Sequence, residues 1–88
     1  MDNVKEIYEY NRLDRKYVLM IGEDGSVKLT DYSKTDGIEM HNPVIVDIAG
    51  GKGCKRIEYG INPTAGRSSI PFKNWGDGEL DKHWTQIK

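Results

Sequence analysis

The cations Lys52, Lys55, Arg56, Arg67 and Lys73 all fall between Gly50 and Lys73 of this 88-residue chain, against the single acid Glu58. That stretch is net +4, residues 1–49 are net −4 and residues 74–88 are net −1, so the total of −1 conceals a basic segment between acidic flanks. The chemistry this allows is anion binding. Gly50-Gly51-Lys52-Gly53 lets backbone N–H groups approach a ligand with no Cβ in the way, and Lys55 and Arg56 follow at once. Gly66-Arg67-Ser68-Ser69 adds a guanidinium and two hydroxyls on a second small-residue turn. The expected site is a rim made by these two loops, with Lys52, Lys55, Arg56 and Arg67 as cationic contacts and Ser68 and Ser69 as hydrogen-bond donors. The segment lacks the Gly-Lys-Ser/Thr ending of a phosphate-binding P-loop, and it carries no dinucleotide fingerprint. A glycine-rich hairpin turn with solvated charges is the plainer alternative.

Other chemistry is thinner. Glu58, His41 and His83, with Arg56, Lys52 and Arg67 to hold a phosphate, could form the acid–base set of a metal-independent nuclease. Arg-x-Glu is also common on the solvated face of a hairpin, and His83 shares a helical stripe with Leu80 and Trp84. Cys54 stands near three cations, which lower a thiol pKa. No base or oxyanion site is identifiable for it, so a half-buried strand residue is the better reading. Tyr59, Phe72 and Trp75 flank the basic residues as stacking groups flank them in single-strand binders. Tyr59 and Phe72 read as core, which leaves Trp75.

Length and composition bound these readings. The 88 residues fit one domain with a modest core and exclude a large enzyme with a separate cofactor domain. Hydrophobic residues make up 36% and charged residues 31%, yet the apolar ones cluster in runs such as Tyr17–Ile21 and Val44–Ile48, which favours folding over disorder. A single cysteine allows no intrachain disulfide, and one Cys with two His is too few for a zinc finger. There is no basic-then-apolar leader, and no apolar run approaches the ~20 residues of a membrane helix. Cytoplasm is the default expectation.

The elements that must position the site follow from periodicity. Val4, Ile7, Tyr8 and Asn11 sit at i, i+3, i+4 and i+7, which predicts a short helix over 2–11 capped by Asp2 or Asn3. Lys16–Gly22, the turn Glu23-Asp24-Gly25-Ser26 and Val27–Tyr32 predict a hairpin. A short strand is a candidate around Ile38–Met40, before the edge-strand or turn signal of Pro43. Val44–Ile48 and Cys54–Ile61 predict a second hairpin, with Val44, Val46 and Ile48 on one face, Ile45 and Asp47 on the other, and Ile57, Tyr59 and Ile61 inward. Ser68–Phe72, interrupted by Pro71, is a candidate edge strand. Leu80, His83, Trp84 and Ile87 repeat the helical spacing and predict a terminal helix from about Gly78, capped by Asp77.

The expected fold is therefore α+β: a small antiparallel sheet of two hairpins and a candidate edge strand, with a short helix at each end. The expected function is a soluble binding or regulatory module, without catalysis or cofactor of its own, that engages an anionic ligand or an acidic partner surface. The partner would be a protein, a nucleotide or a nucleic acid, and not a membrane. A small phosphodiester-cleaving nuclease and an assembly subunit completed by oligomerisation are the competing readings.

Overall fold

A computed structural model of the chain describes residues 3–33, 36–48, 54–73 and 83–88. It contains β1 (Val4–Arg12), β2 (Arg15–Gly22), β3 (Val27–Asp31), β4 (Ile38–Glu39), β5 (His41–Asp47), β6 (Lys55–Gly60), β7 (Arg67–Lys73) and β8 (Trp84–Gln86), and no α-helix among the described residues. All pairing is antiparallel. A five-stranded sheet has the order β4-β3-β2-β1-β8, and a three-stranded sheet has the order β5-β6-β7.

The α+β expectation is overturned at both ends of the chain. Residues 4–12, expected as a helix, form β1 and lie between β2 and β8. The stripe Val4, Ile7, Tyr8, Asn11 fits a helix by coincidence. The decisive residues are Tyr8 and Tyr10, both buried two positions apart, and a helix would turn them to different faces. Val, Ile and Tyr also favour the pleated surface. Within 83–88 the expected terminal helix is replaced by β8, whose Trp84, Thr85 and Gln86 pair with Tyr10, Glu9 and Tyr8. Ile87, the last member of the helical stripe, is more than half exposed. Leu80 and the cap Asp77 lie outside the described residues.

Both expected hairpins are present. β2 and β3 pair from Ile21↔Val27 to Tyr17↔Asp31. In their turn Asp24 Oδ1 accepts from the Ser26 hydroxyl at 2.6 Å and the Ser26 amide at 3.0 Å, which lowers the Asp24 pKa from its ordinary value. β5 pairs with β6, and β7 adds to the far side of β6. Pro43 and Pro71 lie on β5 and β7, the two outer strands, where a missing N–H donor breaks no central ladder. On β5, where Val44 and Ile45 were expected on opposite faces, Ile45 packs on the core and Val44 is exposed. Ile61 is exposed rather than inward because β6 ends at Gly60.

One apolar cluster joins the two sheets. Tyr8, Tyr10, Tyr17, Leu19, Leu29 and Met40 meet Ile57, Tyr59, Ile70 and Phe72. Tyr8 and Trp84 each set a ring edge-on to Phe72, with centroids 5.1 Å apart in both cases. Among the described residues, tyrosine supplies four of the ten buried core side chains, each a large ring. No helix among the described residues is long and apolar enough to cross a membrane.

Candidate anion-binding face

Strand alternation sorts the basic residues. In β6, Ile57 and Tyr59 turn into the core, so Arg56 and Glu58 lie on the opposite face of the three-stranded sheet. The register places Val46 and Pro71 beside Arg56, Val44 and Ser69 beside Glu58, and His41 and Arg67 beside Gly60. Ser68 is opposite the buried Tyr59 and so takes the core side, half-buried, while Ser69 is exposed on the outer side. The two serines therefore do not act at one place. Lys55 is half-buried at the start of β6, opposite Asp47, and alternates to the other side from Arg56. Lys52 and the rest of Gly50–Gly53 lie outside the described residues.

The two expected loops flank opposite ends of β6. The 61–66 turn follows Gly60, whereas the connection from β5 enters at Lys55, five residues or roughly 17 Å away along the strand. Arg56 and Arg67 nevertheless meet, through Glu58. Glu58 Oε2 accepts from Arg56 Nη2 at 2.9 Å, and Glu58 Oε1 is 4.0 Å from Arg67 Nε. Arg67 Nη2 also donates to the backbone carbonyls of Asn42 at 2.9 Å and Glu58 at 3.1 Å. The guanidinium thus spans from β7 across β6 to β5.

The electrostatic result is an Arg–Glu–Arg row with one positive charge in excess. Both arginine side chains are more than two-fifths exposed and Glu58 is 28% exposed. Arg56 Nε is buried without a hydrogen-bond partner, so the donor capacity of this guanidinium is not exhausted by Glu58.

The remaining candidates separate. His41 begins β5, opposite Gly60, one row from Glu58, and makes no hydrogen bond to it among the described residues. His83 belongs with the other sheet, its ring 5.7 Å from that of Tyr10. Tyr59 and Phe72 are core residues, as expected, and Trp75 lies outside the described residues. Cys54 is half-buried, and its carbonyl accepts from the Ile48 amide at 3.0 Å to close the β5–β6 hairpin. Sequence reasoning missed Asn42 as an anchor for Arg67. The available signal was Asn before Pro43, a place where an irregular backbone is expected; Asn42 has φ of 50° beside a register shift in β5. Comparison of the chain with known protein families, with curated proteins and with solved structures finds no match.

Proposed function

We propose that the chain is a single binding module whose outer β5-β6-β7 face engages an anionic partner. The observation that carries this is the pair of arginines held on one exposed sheet face by a single shared carboxylate. Arg67 is fixed by two backbone carbonyls, so its placement costs little ordering entropy on binding. Val44 and Val46 beside the row give a partner apolar area to cover. A phosphodiester strand, a nucleotide or an acidic protein surface meets these requirements. The contacts are Arg56 and Arg67, with Ser69 as an adjacent hydroxyl; Lys52 and Lys55 add long-range attraction.

Fluorescence anisotropy with a labelled oligothymidylate and with a labelled oligoglutamate tests this. At least one probe binds at low salt, with log affinity falling linearly against log salt. Reversing both charges, Arg56→Glu with Arg67→Glu, abolishes that binding while the circular dichroism spectrum is kept. Unchanged affinity after both reversals removes the assignment.

A second reading, phosphodiester cleavage, has one observation in its favour: His41 and Glu58 occupy neighbouring rows of the sheet that carries both arginines. Turnover of a quenched oligoribonucleotide, lost in Glu58→Gln and in His41→Ala, would establish it. Absence of turnover leaves the binding role.

A further inference from the structure

The two sheets separate at one end, where a cavity of about 480 Å³ opens between them. It lies beside the β1–β2 turn, the last residue of β3 and the far end of β6, and shares no residue with the arginine row. Its inner wall is aromatic: Tyr17 from one sheet and Tyr59 from the other, both buried. Met40 closes the apolar part, and Ile38 and Ile61 stand at the rim, about half exposed. These two isoleucines are large apolar side chains that the core does not use. A cleft of this size, with polar and apolar lining in about equal parts, has room for a small molecule.

The polar groups select the ligand's charge. Asp31 lines the cavity; its Oδ1 accepts from the Ser33 amide at 2.7 Å, and a carboxylate has lone pairs beyond that one bond. Ser33 also lines it, with an Oγ that is buried and without a hydrogen-bond partner. An unsatisfied buried hydroxyl is rare in a settled interior. Asp14 adds a second carboxylate, against the single guanidinium of Arg15, both of them exposed. The excess is negative, so an anion is repelled and a cation is attracted. Tyrosine rings beside a carboxylate suit an ammonium group, which gains from the ring faces as well as the charge.

We propose that this cleft binds a small organic ammonium: a protonated amine seated between Asp31, Ser33 and the two tyrosines, with its apolar body against Met40, Ile38 and Ile61. The amine is that of a free small molecule or of a lysine side chain presented by a peptide. The site is independent of the anion-binding face and has the opposite charge preference.

The test is a titration of the ¹⁵N-labelled full chain followed by amide chemical shifts. The probes are 2-phenylethylamine, N-acetyl-lysine methylamide and, as the reversed charge, 3-phenylpropionate. Saturable shifts centred on Tyr17, Asp31, Ser33 and Tyr59 are expected with at least one amine, and which amine binds better identifies the source. The carboxylate produces no such shifts. Asp31→Asn weakens the amine by about tenfold. Ile61→Trp, a change at an exposed rim position that leaves the core intact, blocks entry and abolishes binding even if Asp31→Asn folds poorly. The assignment is overturned if neither amine gives saturable shifts, if 3-phenylpropionate binds as well, or if Ile61→Trp binds like the parent.

Discussion

At the scale of single residues, backbone strain and shared charge are the informative features. Leu13 holds φ of 55° in the two-residue connection between Arg12 and Arg15, and its side chain is 97% exposed. The left-handed conformation costs an L-residue on the order of 1 kcal/mol, and here no packing offsets it. Asn tolerates that region without the unfolded-state entropy that Gly would add. Leu13→Asn is therefore expected to stabilise the fold by roughly 0.5–1 kcal/mol, read as a higher urea midpoint at unchanged slope. An unchanged or lower midpoint would show that the exposed leucine is held by something else. Arg56, Arg67 and Glu58 were each visible in the sequence as charged residues. Their convergence was not, because it depends on which strand lies beside β6 and in what register. The serines show the same limit: Ser68 and Ser69 look alike in sequence, and a period of two sends them to opposite faces.

Among the elements, the terminal strands decide the architecture. β8 has only three residues, and its ladder with β1 is extended by the Ile87 amide donating to the Ile7 carbonyl at 2.7 Å. Trp84 holds it. Its ring meets Tyr10 and Phe72 edge-on, each with centroids 5.1 Å apart, and Nε1 donates to the Pro71 carbonyl at 2.9 Å. It thus ties the end of one sheet to the outer strand of the other. Trp84→Ala should cost about 3 kcal/mol, the low end for a core tryptophan because this one is half-buried. Amide exchange should then rise first in β8 and the facing part of β1; uniform acceleration across the chain would contradict this role. The central hairpins were legible because turn chemistry and alternation agree there: Asp24-Gly25 supplies a glycine with φ of 86°, and Leu29 falls on the buried face. The termini were misread for a physical reason. Short segments fit both a period of two and a period of 3.6, and pairing chooses between them: β1 pairs along its length with β2, and β8 pairs with β1. The partners in the β1–β8 pairing lie more than seventy residues apart.

For the whole molecule, the contact between sheets sets the response to pH. Burial, followed by the charge and hydrogen bond of Tyr17, pushes the Tyr59 hydroxyl up to about 12 from 10.0. The folded chain therefore keeps this proton over a range in which the unfolded chain has lost it. Stability from this group is complete below pH 10 and declines as the pH rises to about 12, by roughly 2 kcal/mol. Tyr59→Phe should flatten that decline in a series of urea melts; an equal decline in the variant would place its origin elsewhere. At this scale the chain presents two regions of opposite sign, the arginine row on the outer sheet face and the carboxylate-lined cleft between the sheets. The sequence foretold a basic surface between acidic flanks, and the fold concentrates its described part on one sheet.

The central claim is that Glu58 restrains an anion-binding pair of arginines, and Glu58→Gln tests it most directly. The substitution raises the charge of the row from one positive to two while keeping the side-chain size. By anisotropy at low salt, the variant should bind the oligothymidylate or oligoglutamate probe about threefold or more tightly than the parent, with a steeper salt dependence. Equal or weaker binding of both probes by a folded Glu58→Gln chain would contradict it.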